Sequence, residues 1–426
     1  MTLAHARPRS LREVFKLSNL FSQRLEHKYQ NLAHARMLSE VGNSIRQVVL
    51  ALAILGVRDR QQDLFIGEVL ESCGFFVMSM LAPFFIDQVR KIRALIIADV
   101  LGVANAGILI IGVSTQSLEV LWVGSFFMTM ISSLYGSVLF AVTTGYAGAE
   151  KHMIRLGLTY VQRSILIGAL VGLLGVSMSV KFMPLVAFLA IDALSFLVSS
   201  YWIFRVTKHD LQNEKSRRGK FESLSSYLQK MGREWKEGFD FVRKSRDLRR
   251  AFAINFISCF GYGVLESSVV STQKLFLGFS DGLITLSRAF NRVASIAGTV
   301  LLSRWSREKH KKTSGEILAF SVTLSTLGTA AMLIPSAPFF VASNAVYNFG
   351  WTKLNPTLGA MIAANSPHSF LGRVQSFRSL VVNLSILLGN VSVLILGAII
   401  PVQYFFALSS LSFLLTLFVW SRSQKV

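Results

Sequence analysis

The side chains in this sequence best placed to do chemistry are charges set inside long apolar runs. The acidic set is Glu68, Glu71, Asp99, Asp192 and Glu266; the basic set is Arg46, Arg163, Lys274, Arg288, Arg292 and Lys353. A charge at the centre of a helix in lipid costs about 2.5–3.5 kcal/mol on insertion scales, so each of these is a functional suspect. Glu68 and Glu71 are three apart and Arg288 and Arg292 four apart, so each pair shares a helical face. With the helical rise per residue as a ruler, Arg46 comes level with Glu71, and Glu266 with Arg288 and Arg292. Two clusters are expected: Arg46 with Glu68 and Glu71, and Glu266 with Arg288 and Arg292. Asn291 adds a hydrogen bond beside the second. Two readings stand. The charges are neutralised pairs that lock neighbouring helices, or they hold a polar ligand and a proton. All seven His lie outside the apolar runs, so any proton held at depth falls to a carboxylate. The slight excess of basic groups favours an anionic or zwitterionic ligand, because guanidiniums grip carboxylates and phosphates bidentately. Lys274 falls near the end of its run, where it can reach the interface.

The elements that must position these groups are transmembrane helices. The 426 residues are 52% hydrophobic with mean hydropathy +0.50, and charge is confined to short segments between apolar runs. With about 20 apolar residues per crossing as the ruler, the expected spans are 37–56, 64–86, 94–114, 118–144, 156–179 and 182–204, then 251–278, 283–302, 316–334, 339–363, 380–400 and 402–420. The fold class expected is an all-α membrane protein of twelve transmembrane helices in two pseudo-symmetric six-helix bundles. Residues 1–35 read as a basic tail and 36–204 as the first bundle. Residues 205–250 read as a linker, 251–420 as the second bundle and 421–426 as the C-terminal end. Most basic residues fall on the face that carries both termini, which marks it as cytoplasmic and the membrane as the inner (cytoplasmic) one. The tail shows no cleavable signal pattern. In the linker, Leu224, Leu228, Met231, Trp235 and Val242 recur at helical spacing, which predicts an amphipathic helix along the membrane surface. Leu11, Phe15, Phe21 and Leu25 give the tail a weaker stripe.

The net charge of +21 needs no nucleic acid, since basic loops on one face account for it. Cys73 and Cys259 lie inside apolar runs and suggest neither a disulfide nor a metal site. No Gly-x-x-x-x-Gly-Lys-[Ser/Thr] loop is present to bind nucleotide phosphates. No Ser/His/Asp constellation lies in a loop large enough to hold an active site. Neither an enzyme, a cofactor nor a bound metal is expected.

Several stretches resemble the major facilitator superfamily, in its branch of macrolide exporters and enterobactin-type siderophore exporters. The turn Pro83-Phe-Phe-Ile-Asp87-Gln88-Val-Arg90-Lys91-Ile-Arg93, with Asp99 following, is similar to the family's Gly-x-x-x-Asp-Arg-x-x-Arg-Lys turn, with Pro83 for Gly and Gln88 for Arg. Ser303-Arg304-Trp-Ser-Arg307 echoes it in the second half. Phe188-Leu-Ala-Ile-Asp192-Ala-Leu-Ser-Phe196, Trp235-Lys-Glu-Gly238-Phe-Asp-Phe-Val242, Ser366-Pro-His-Ser-Phe-Leu-Gly372-Arg373-Val and Ser39-x-x-Gly42-Asn43 match further family segments in order. The fifth span reads Gly168-Ala-Leu-Val-Gly172-Leu-Leu-Gly175, without the Pro of the family's antiporter motif.

The resemblance implies a secondary transporter, with proton-coupled efflux of a small organic molecule by alternating access around a midplane site. That molecule would be an anionic or zwitterionic metabolite such as a siderophore, or a drug. The substrate and coupling residues expected, chiefly from the charges inside the spans, are Arg46, Glu68, Glu71, Asp192, Glu266, Arg288, Asn291 and Arg292. The implied gating turn is Asp87, Lys91 and Asp99, with Arg304 and Arg307. The partners expected are a small-molecule substrate, protons and membrane lipid, with the chain a monomer. An importer of the same fold and a non-transporting membrane scaffold or sensor are the alternatives.

Overall fold

The structure is a computed structural model that describes residues 27–147, 151–213, 223–308, 313–366 and 371–424. The first half contains α1 (His27–Arg58), α2 (Gln61–Gln88), α3 (Lys91–Thr115), α4 (Leu118–Ala147), α5 (Lys151–Ser179) and α6 (Leu185–Asn213). A linker helix α7 (Leu224–Lys244) follows. The second half contains α8 (Arg246–Ser271), which runs into a π turn (Thr272–Phe276), then α9 (Asp281–Glu308), α10 (Thr313–Ala331), α11 (Ala337–Ala364), α12 (Leu371–Leu396) and α13 (Phe405–Gln424). No strand occurs among the described residues.

Among the described residues, nine helices are long and apolar enough to cross a membrane. The other three of the twelve, α9, α10 and α11, pack among them. α9 and α11 each run 28 residues, but α9 carries Arg288, Asn291 and Arg292, and α11 carries three asparagines. Polarity, not length, sets them apart. The chain is a multi-pass membrane protein.

The packing repeats between halves. In the first, α1 packs on α5 and α6, α3 on α4 and α6, and α2 on α4. In the second, α8 packs on α12 and α13, α10 on α11 and α13, and α9 on α11. Each contact has its twin when α1–α6 are laid on α8–α13. The contacts between halves, α2 with α12 and α9 with α5, are themselves exchanged by that operation. This is the packing of an internal repeat.

The halves are joined unevenly. Three apolar clusters cross between them, and all lie away from the face that carries the termini. Val48, Leu52 and Leu173 pack with Phe279, Ile284 and Ala289; Phe65 packs with Val264, Val393, Val402 and Phe405; Val270 joins a cluster of first-half residues. Ser177 also donates to the Gly282 carbonyl there at 3.1 Å. On the face that carries the termini, the buried clusters stay within one half each. The cleft between the halves is therefore closed at the far face.

α7 lies across the open side. Its Tyr227 ring packs 5.1 Å from Phe84 of α2. Trp235 donates to Ser376 of α12 at 3.4 Å, and Glu237 pairs with Arg373 at 2.6 Å. Ser223 caps its first turn. The packed face is Tyr227, Met231, Trp235, Gly238 and Val242, whereas Leu228 is 42% exposed. The predicted stripe is thus turned by one residue at its start, because Tyr227 finds an aromatic partner on α2 and Leu228 does not.

Two expected boundaries shift. α1 begins at His27, inside the stretch read as a tail, because Leu32, Ala33 and Ala35 are buried in the first-half core. α12 begins at Leu371, nine residues before the expected span, so Arg373 and Arg378 are helical.

Candidate functional site

The buried charges of the first half are organised by α1. Arg36, Glu40, Asn43 and Arg46 recur every three or four residues and share a face. Arg36 pairs with Glu40 at 2.7 Å, Asn43 donates to Glu40 at 3.3 Å, and Arg46 donates to the Asn43 amide oxygen at 2.8 Å. Arg46 then reaches across to α6, donating to both carboxylate oxygens of Asp192 at 2.9 and 3.2 Å. The sequence reading gave Arg46 to Glu68 and Glu71. Gly42 explains the difference: a Cβ there would stand 2.5 Å from Asp192 Oδ1 and 2.0 Å from Ser195 Oγ. α6 comes close enough at this glycine for Asp192 to take Arg46, one turn further along.

Glu68 and Glu71 remain on α2, facing inward. Glu71 lies in electrostatic range of Arg46 and Arg288; Glu68 lies in range of Glu71, Arg288 and Glu266. The two clusters expected from the sequence are therefore one network that spans both halves. α12 backs it, with Asn390 donating to Ser72 Oγ at 2.6 Å and to the Glu68 carbonyl at 3.2 Å.

In the second half, Glu266 of α8 and Arg288, Asn291 and Arg292 of α9 line a cavity of about 280 Å³ between the halves. Gln47 of α1 and Gln162 of α5 close it from the first half. α11 supplies a polar stripe at one helical face, Asn344, Asn348, Thr352 and Asn355, and Trp351 beside it. Trp351 stacks on Tyr262 with centroids 4.7 Å apart and planes at 8°. Among the described residues, Glu266 forms no ion pair with Arg288 or Arg292. These charges face the cavity uncompensated by direct contact, which a purely structural pairing would not leave.

The remaining expected residues scatter. Asp99 is wholly buried between helices, in range of Arg36 and close to Tyr135 and Ser199. Lys91 opens α3 and is half-buried. The side chains of Asp87, Arg304 and Arg307 lie outside the described residues. Lys274 pairs with Asp281 at the far end of the second half. Arg163 and Lys353 are half-buried and do not line the cavity.

The sequence reading missed the amides and aromatics of the wall, which carry no charge to flag them. It also missed Arg378, which donates to the Asn355 carbonyl at 3.1 Å and to its side-chain oxygen. Asparagines spaced by four and seven in an apolar span were the available signal.

No family model matches the chain, and no curated protein sequence does. Solved structures do. A POT family transporter in complex with a thioalcohol-conjugated peptide superposes with a TM-score of 0.74 at 13% identity, covering 93% of this chain and 96% of that one. The nucleoside transporter NupG gives 0.71 at 11%, covering 94% and 100%. A bacterial homologue of the iron transporter ferroportin, in its inward-facing state, gives 0.68 at 15%, covering 94% and 99%. The likeness is one of fold over nearly the full length of each chain.

Proposed function

From this major facilitator fold, we propose that the chain is a proton-coupled secondary transporter of a small polar organic acid, working by alternating access as a monomer. The observation that carries the reading is the cavity at the join of the halves, lined by Glu266, Arg288 and Arg292 without direct ion pairs. Closure at the far face and separation at the face of the termini fit the state open to one side. The basic loops support assigning that open side to the cytoplasm.

Charge arithmetic supports proton coupling. With Arg46 taken by Asp192, the network holds Glu68, Glu71 and Glu266 against Arg288 and Arg292. Three carboxyls face two guanidiniums, so one proton restores balance. A protonated glutamate releases its hold on an Arg, which can then bind a substrate carboxylate. The sign of this logic is joint binding of proton and acid. Efflux in exchange for protons, as the resemblance to siderophore and macrolide exporters implies, requires the proton to expel the substrate instead. The cavity lies just below the range of about 300–1,000 Å³ usual for drug-sized ligands, which favours a small metabolite over a macrolide or a siderophore.

The test is solute flux in proteoliposomes with a pH gradient of either sign. Gradient-driven movement of a small organic acid, with Glu266→Gln abolishing the gradient's effect, supports the reading. Rates indifferent to the gradient sink proton coupling, and no flux of any small organic acid sinks the transporter.

A further inference from the structure

The polar wall of the cavity goes beyond what a carboxylate needs. Six side-chain amides line it: Gln47, Gln162, Asn291, Asn344, Asn348 and Asn355. Each offers a donor and an acceptor side by side, and so does each hydroxyl of a ligand. A simple carboxylate accepts hydrogen bonds only, and offers no donor to the amide oxygens of the wall.

Asn344 and Asn355 already use their side-chain oxygens, accepting from Asn348 and Arg378. Asn291 Oδ1 is buried and has no partner among the described residues. The Asn348 amide is held by its nitrogen, which donates to both the backbone and side-chain oxygens of Asn344 at 2.9 Å. Asn348 itself lines the cavity. Thr352 donates to the Asn348 carbonyl at 2.8 Å, which fixes its position on the same stripe. Tyr262 and Trp351 also line the cavity, stacked ring on ring, and Trp351 stacks in turn on Tyr347. A flat aromatic surface suits the C–H face of a carbon chain whose hydroxyls point the other way. Arg288 and Arg292 supply the carboxylate end.

Resting on the transporter reading above, we infer that the cavity takes a polyhydroxylated monocarboxylate, that is, a sugar acid. The carboxylate lies on Arg288 and Arg292, the hydroxyls on Asn291, Asn344 and Asn348, and the carbon chain against Tyr262 and Trp351. The small volume holds one such unit and not an oligosaccharide.

The test is calorimetric titration of the full chain in detergent with four probes. D-gluconate carries charge and hydroxyls, hexanoate charge alone, D-glucose hydroxyls alone, and dialanine is a zwitterion with a peptide group. D-gluconate binds at least about tenfold more tightly than each of the others, since a site built to hydrogen-bond hydroxyls rejects analogues that lack them. Asn348→Leu narrows the gluconate-to-hexanoate ratio, and Arg292→Gln narrows the gluconate-to-glucose ratio. Hexanoate, glucose or dialanine binding as tightly as gluconate, or gluconate failing to bind, overturns the assignment. If gluconate is inert while a pH gradient still drives another acid into proteoliposomes, only the sugar acid falls. If the gradient drives nothing, the transporter reading falls first.

Discussion

Arg46 of α1 and Asp192 of α6 form a two-bond ion pair, 2.9 and 3.2 Å long, with the carboxylate wholly shielded from solvent. The pair closes the polar ladder that climbs α1 from Arg36, and ties the two helices at the level where the halves meet. It also commits the direct hydrogen bonds of Arg46 to Asp192 and Asn43, with Glu71 left within electrostatic range.

Because the pair is buried, breaking one side should cost more than removing both. Asp192→Asn is expected to lower stability by about 3–5 kcal/mol, since it strands the Arg46 charge. Adding Arg46→Met should recover most of that loss. Unfolding in detergent, measured as a double-mutant cycle, gives the coupling. Additive losses would show that the two residues act independently.

The glycines of α5 separate a packing role from a mere composition. A Cβ at Gly168 would stand 2.4 Å from the Met37 carbonyl oxygen, and one at Gly172 would stand 2.4 Å from that of Val41. A Cβ at Gly175 meets nothing within 4 Å. Gly172→Ala is therefore expected to destabilise by about 1–3 kcal/mol, the usual cost of overpacking. Gly175→Ala should be neutral or stabilise by up to about 1 kcal/mol, through the poorer helix propensity of glycine. Melting temperatures of the two variants read the contrast directly. Gly168 and Gly172 thus serve close approach to α1 with no Pro among them.

Alternating access requires the far face to part. Ser177 and Gly282 lie against each other there, on α5 and α9. With Cys73 and Cys259 replaced, Ser177→Cys with Gly282→Cys is expected to cross-link on oxidation and stop flux, and reduction should restore it. Full activity in the oxidised, cross-linked protein would mean that these ends do not separate in the cycle.

Arg378 touches no cavity wall but holds Asn355, which does. Losing a hydrogen bond to a charged group is worth about 1.5–3 kcal/mol, so Arg378→Gln is expected to weaken D-gluconate binding by roughly tenfold or more. Arg378→Lys, which keeps a charged donor, should recover part of it. Unchanged affinity in Arg378→Gln would leave Arg378 a purely structural residue.

The Glu237–Arg373 pair of α7 is a control. Both side chains are close to half exposed. Exposed pairs contribute about 0–1 kcal/mol, so Glu237→Gln should barely shift the melting temperature. A loss beyond that would mean that α7 carries load the contact pattern does not suggest.

The division between sequence and tertiary structure follows from the physics of each signal. Lipid demands long apolar helices, so the spans, their duplication and the isolated charges Glu266, Arg288 and Arg292 were all readable from local composition. Which charges meet was not. Arg46 could be placed by height along its helix, but its partner depends on how closely α6 approaches α1, and that rests on the missing side chain at Gly42. Asp99 was assigned by its nearness in sequence to a turn, whereas its neighbours Arg36, Tyr135 and Ser199 come from three other helices. The cavity wall was hidden for a related reason. Asparagine, threonine and tryptophan within a span carry little signal alone, and only the packing of α11 against α9 turns Asn344, Asn348 and Asn355 toward one enclosed space. Periodicity fixes where along a helix a side chain stands; the rotation and closeness of neighbouring helices decide what it faces.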